Sequence, residues 1–215
     1  MAETNINARL EAFSDGVFAI ALTLLIIDIR IPSSGINSTR DFWLALRHLT
    51  PSIFAFLLSF AIILITWNNH HATMRLVDKS SHPFMFANGF LLLTVVFIPF
   101  PTALLGEYLL TDHSAPAVML YSAVCGCQAI GWNLLTRTAL TPHVLTRNGQ
   151  GTVAMKANHR YSYYAFALYT ACAIVAFWLP RTVAVAISLI WIVWLIVGIN
   201  IKGEWTTAAS NPEVS

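Results

Sequence analysis

Charge is scarce in this chain. Asp, Glu, Lys and Arg together make up 10% of its 215 residues, against about 25% in an ordinary soluble domain. With 57% hydrophobic residues and a mean hydropathy of +0.66, such a chain is expected to live in lipid. The formal net charge is +2 and no Lys/Arg run occurs, so nucleic acid is not an expected partner. Cysteine is sparse too: Cys125, Cys127 and Cys172 all lie in apolar segments. They lack a secreted disulfide pattern, and beyond a lone Cys-x-Cys they lack metal-site spacing, so they read as small packing residues. Catalytic signatures are missing as well. No Gly-x-Ser-x-Gly, His-Glu-x-x-His, paired intramembrane aspartates or mid-span lysine is present, so neither an enzyme nor a cofactor is expected.

Long apolar runs are what the chain does have. A membrane span needs roughly 20 apolar residues, and six stretches qualify, at about 12–31, 51–70, 84–106, 116–137, 161–179 and 182–201. They fill over half of residues 1–215, which leaves one six-helix transmembrane domain and no separate soluble one. Each is expected to be helical, because only helices and closed barrels satisfy the backbone in lipid and these runs are too uniformly apolar for barrel strands. The first is expected to be retained rather than cleaved: Glu3, Glu11 and Arg9 precede it, and "DIRIP" follows in place of a small-residue cleavage site. Pro180-Arg181 is the whole break between the last two spans. Of the twelve Lys and Arg, eight fall on the side holding Arg9, Arg75 and Lys156, and four (Arg30, Arg40, Arg47, Arg181) on the other. That bias favours a multi-pass protein of the cell membrane with both termini in the cytoplasm.

Polar residues inside such spans mark function. At about 100° per residue, Phe13, Leu24, Ile27 and Ile31 fall within roughly 40° of Ile20, and Thr23 sits on the shoulder of that stripe. Ser14 and Asp15 lie on the far side, one turn inside the helix. A carboxylate there needs a partner. The second span ends in "ITWNNHHATMR", whose Trp67, Asn68, Asn69 and His70 would reach the same membrane face if the two helices run antiparallel. His70 is the natural donor to Asp15, with Ser14 and Trp67 Nε1 completing a network and Arg9 near enough to offset charge. The alternative is that His70 and His71 sit unpartnered at headgroup level. Asn88 and Thr94 are expected to cap or brace neighbours, Gln128 and Asn133 to bond between helices, and Pro99 and Pro101 to kink the third span. Asp28 is expected to pair with Arg30 near the outer surface, where it could draw cations to the mouth.

The Arg9-x-x-x-Phe13-Ser14-Asp15 motif, joined to Trp67-x-x-His70 and "FIPFP" on the third span, resembles the transmembrane protein 175 family of potassium channels, in its single-repeat prokaryotic form. The resemblance runs the length of the chain. It implies an all-α integral membrane protein with six transmembrane helices per subunit, assembled as a homotetramer in the bilayer with helix 1 lining the central pore. Neither the family nor this sequence carries a Thr-Val-Gly-Tyr-Gly filter. By offset from the motif, the family's constriction falls on Ile20, with Leu24 and Ile27 as further apolar rings and Thr23 as a hydroxyl ring. Potassium ions would therefore pass near Ile20 and Thr23. Ser14 and Asp15 would brace helix 1 to helix 2 through Trp67 and His70. A proton-permeable channel, or a proton-coupled transporter using Asp15 and His70 as a relay, is the competing reading.

Overall fold

The computed structural model describes residues 7–31, 35–141 and 144–192, and all its regular elements are helical. Helix α1 (Ala8–Leu24) tightens into a 3-10 turn at Leu25–Asp28. A short α2 (Thr39–His48) leads within one residue into α3 (Thr50–Arg75). There follow α4 (His82–Phe97), α5 (Pro99–Tyr108), α6 (Ser114–Leu140), α7 (Gly149–Val175) and α8 (Pro180–Ile192).

Four stretches are long and apolar enough to cross a bilayer: Ala8–Asp28, Thr50–Arg75, His82–Tyr108 and Ser114–Leu140. They correspond to the first four expected spans. The fifth and sixth differ. Helix α7 begins at Gly149, well before the expected start at 161, because Asn148 Oδ1 accepts the Gly151 N–H at 2.8 Å and caps the helix there. Its leading half carries Lys156, His159 and Arg160, so its hydropathy falls short of a span, and it ends at Val175 rather than 179. The expected sixth span starts with α8, but everything past residue 192 lies outside the described residues.

The third span is broken where its prolines dictate. Pro99 has no N–H to give the Val95 carbonyl, which accepts from Ile98 N at 3.1 Å instead. The helix restarts as α5, and Thr102 Oγ1 donates to the Ile98 carbonyl at 2.7 Å. Helix α6 is the spine of the bundle, packed against α4, α5 and α7, while α3 packs on α5 and α1 leans on α3 and α4. The main core joins Phe18 and Ala21 of α1 and Leu25 of the 3-10 turn to Ile62, Val95, Leu105, Tyr121 and Tyr169. A second cluster around Met74, Phe84, Leu91, Leu135 and Met155 fills the other end.

Polar bonds lock these contacts. Ser59 Oγ lies 2.7 Å from Thr102 Oγ1 and 2.8 Å from the Tyr121 hydroxyl, joining α3, α5 and α6. Gln128 Nε2 donates to Thr66 Oγ1 at 3.3 Å and Asn133 Nδ2 to Ser162 Oγ at 3.1 Å, both between helices. Where α3 meets α5, a Cβ on Gly106 would stand 2.8 Å from the Ser52 Cα, closer than real Cβ atoms come. Gly106→Ala must therefore push two backbones apart, and it is expected to cost about 1–3 kcal/mol. Gly89→Ala, where a Cβ meets nothing within 4 Å, is the matched control. The apparent melting temperature of purified protein in detergent should fall for the first variant and hold for the second.

Candidate functional site

The site is α1 itself, whose two faces face different worlds. Ser14, Phe18, Ala21 and Leu25 recur at helical spacing and are buried against α3 and α4. The opposite stripe is largely open: Ile20 is 59% exposed, Leu24 36% and Ile27, in the 3-10 turn that continues the helix, 51%, with Phe13 and Thr23 exposed beside them. Thr23 gives its hydroxyl proton to the Ile20 carbonyl at 2.8 Å, which leaves the oxygen's lone pairs free. Only 22% of the apolar window of this first span is buried, against 39–56% in the other three.

What holds the buried face in register is a chain of polar contacts near the start of α1. Trp67 Nε1 donates to Asp15 Oδ1 at 2.8 Å. Asn88 of α4 donates its Nδ2 to Ser14 Oγ at 3.0 Å, and Ser14 passes its own proton to the Leu10 carbonyl at 2.8 Å. His70 Nε2 lies 2.7 Å from Asn88 Oδ1. Since an amide oxygen can only accept, Nε2 carries the proton. His70 is fully buried, its ring 5.4 Å from that of Phe18, and its Nδ1 has no hydrogen-bond partner among the described residues.

The expected His70–Asp15 bond is not formed. Ser14 and Asp15 are consecutive, so they point about 100° apart; Asp15 turns to the indole of α3 and Ser14 turns to α4. His70 then finds the Asn88 amide of α4. Asn88, expected only as a general brace, is the residue that joins three helices, and no two-helix view of α1 and α3 would assign it that place. His71 is partnered as well, with Nδ1 2.9 Å from Glu11 Oε1 and its ring stacked on Trp67 at 6.2 Å. The two atoms lie within ion-pair distance without forming an aligned hydrogen bond. Arg9 is exposed and makes no ion pair among the described residues, so it does not offset Asp15. Phe13 belongs to the bare stripe and not to the brace. At the other end Arg30 Nε donates to the Ile27 carbonyl at 3.1 Å. It makes no salt bridge to Asp28 among the described residues, because it is spent on capping the 3-10 turn.

These features define a multi-pass helical membrane protein whose first helix is clamped on one face and left apolar and unpacked on the other. A family model described as the endosomal/lysosomal potassium channel TMEM175 matches residues 9–99, the segment that holds α1, Trp67, His70 and Asn88. A potassium channel from Chamaesiphon minutus is 46% identical over 139 residues, which are 65% of this chain and 68% of that protein. The crystal structure of a lysosomal potassium-selective channel TMEM175 homolog from the same organism superposes with a TM-score of 0.79 at 36% identity, covering 89% of this chain and 97% of that one. The endosomal/lysosomal proton channel TMEM175 of Danio rerio is 35% identical over 97 residues, 42% of this chain and 19% of that protein. The chain belongs to the TMEM175 family.

Proposed function

We propose that this protein is a modestly potassium-selective cation channel of the cell membrane, formed by four copies that bring their α1 helices together around a central pore. The observation that carries the reading is the bare stripe of α1. Ile20, Leu24 and Ile27 belong to none of the subunit's buried clusters and stand exposed, while the opposite face of the same helix is tied down by side chains of α3 and α4. A helix held so firmly on one side presents the other to something beyond the subunit, and the names of the relatives support an ion path. Six crossings per subunit, with both termini cytoplasmic, complete the arrangement.

Four Ile20 side chains make a hydrophobic constriction that stops ions by dewetting, and slight widening admits them. Four Thr23 oxygens, their protons already given to backbone, stand one turn further along and replace part of a cation's hydration shell. A hydroxyl ring supplies fewer oxygens than a carbonyl filter, hence modest selectivity. Asp28, exposed and free of Arg30, draws cations to the outer mouth. The test is flux into vesicles carrying purified protein, with a proton ionophore to balance charge. Uptake that prefers potassium over sodium supports the reading, and absence of uptake of either ion overturns it.

A second reading, that protons pass as well, is favoured by the proton-channel name of the fish relative. A direct Asp15–His70 relay is not part of it, because the two groups bond to different partners, Asp15 to the Trp67 indole and His70 to the Asn88 amide. A pH dye inside the same vesicles, without ionophore or potassium, reads this arm separately.

A further inference from the structure

None of the ten residues of α2 is buried. Every other helix of the bundle covers side chains against a neighbour, so α2 is formed without a protein surface to sit on. Its start is well built nonetheless. Ser38 Oγ accepts the Asp41 N–H at 3.1 Å, and Asp41 Oδ2 accepts the Asn37 N–H at 3.2 Å, a reciprocal cap. Its end is anchored too: Thr50 Oγ1 donates to the Arg47 carbonyl at 2.7 Å, and Leu49 alone separates α2 from the membrane-spanning α3. The last turn of α2 is thereby held at the level where a span leaves the bilayer.

The ten residues are also sorted by chemistry, with Leu44 the one large apolar residue on the polar side. At roughly 100° per residue, Phe42, Ala45 and Leu46 gather on one side, with Leu49 beyond the end on the same side. Arg40 and Arg47 fall about 20° apart along one edge, with Trp43 between them and the apolar side. Asp41, the one carboxylate of the helix, is committed to the cap at its start. Arg40 and Arg47 make no ion pair among the described residues, although together they are half of the four cations on the outer side. An apolar side, a Trp on its border and an unneutralised pair of guanidinium groups beside it match the chemistry of a phospholipid surface.

We propose that α2 is an interfacial helix that binds anionic lipid on the side of the membrane opposite Arg9. Phe42, Trp43 and Leu46 enter the boundary between headgroups and acyl chains. Arg40 and Arg47 hold lipid phosphates with the paired donors that suit guanidinium to phosphate. The helix thereby fixes the entry of α3 relative to the bilayer. This assignment stands on α2 alone and survives or fails independently of the pore.

The test places a nitroxide label at Phe42→Cys or Leu44→Cys, on opposite sides of the helix, in full-length protein carrying Cys127→Ser. The two remaining cysteines are buried. Proteins are reconstituted in phosphatidylcholine with or without phosphatidylglycerol, and label relaxation by lipid-dissolved oxygen and by a water-soluble nickel chelate is measured. The label at 42 is expected to respond to oxygen and that at 44 to nickel. Phosphatidylglycerol is expected to sharpen the contrast, and Arg40→Gln/Arg47→Gln to lose that lipid dependence while keeping the fold, since neither side chain is buried. Nickel access at both positions in both lipids would overturn the proposal by leaving α2 in water. Shielding of both positions from both reagents would overturn it by showing a neighbouring protein surface over the helix. Contrast indifferent to phosphatidylglycerol would overturn the assignment of anionic lipid.

Discussion

Ile20→Asn is expected to raise potassium flux by on the order of tenfold or more, the largest functional effect of any single change in the chain. Ile20 belongs to neither buried core cluster: its side chain lies on the exposed side of α1, and its carbonyl, which accepts from Thr23, stays in place. The cost to folding is therefore small. In the proposed tetrameric pore the change would convert a ring of four butyl side chains into a ring of four amides, able to wet the constriction. A barrier reduction of about 1.4 kcal/mol is already a factor of ten, and removing the dry segment is expected to exceed that. Preference for potassium over sodium should persist if the Thr23 oxygens set it, and vanish if the apolar ring itself does. Radioactive potassium and sodium uptake by wild type and variant, at equal protein per vesicle, reads both quantities.

Asn88→Leu is expected to have the largest effect on stability. A single interhelical hydrogen bond in a membrane protein is worth only about 0.6 kcal/mol on average, which would make most such changes mild. Asn88 differs because it serves two helices at once. Its loss strands the His70 Nε2–H, which is fully buried, and removes the donor that orients Ser14. Each stranded buried group costs about 1–3 kcal/mol, so α1 should loosen from α3 and α4. Trp67→Phe is the informative contrast. It removes the donor to Asp15, but that carboxylate is only partly buried and water can replace the bond. Melting of the purified protein should therefore fall further for Asn88→Leu than for Trp67→Phe, and Asn88→Asp, which still accepts from His70, should recover part of the loss.

The pattern of what could be read ahead of the structure follows from the range of each interaction. Apolar runs report spans directly, so the first four spans are legible to within a few residues. The stripe on α1 was legible because helical periodicity places Ile20, Leu24 and Ile27 together whatever surrounds them. The Trp67–Asp15 bond could be anticipated because an indole donor and a carboxylate stand at the same end of adjacent antiparallel helices. The His70 partner could not, since it depends on how α4 inserts beside α1, and that is a property of the packed bundle. Helix α2 was hidden for the opposite reason. Its ten residues are too few and too polar to register as a span, and only the Ser38 and Asp41 cap marks it within a connecting segment. Helix α7 was begun late because its first half is polar, although Asn148 marks its start. Local capping chemistry was thus the unused signal in two places, and tertiary context the missing one in a third.

The most direct test of the account is to ask which face of α1 meets the permeating ion. Leu24→Cys and Ala21→Cys, each in the Cys127→Ser background, differ by three residues on one helix. Leu24 lies on the bare stripe, whereas Ala21 is fully buried against the bundle. Silver ion, close to potassium in size and reactive with thiolate, is added while potassium flux is recorded. Rapid block of Leu24→Cys and none of Ala21→Cys is expected. Block of Ala21→Cys with Leu24→Cys untouched would contradict it, and would place the ion path on the other side of the helix.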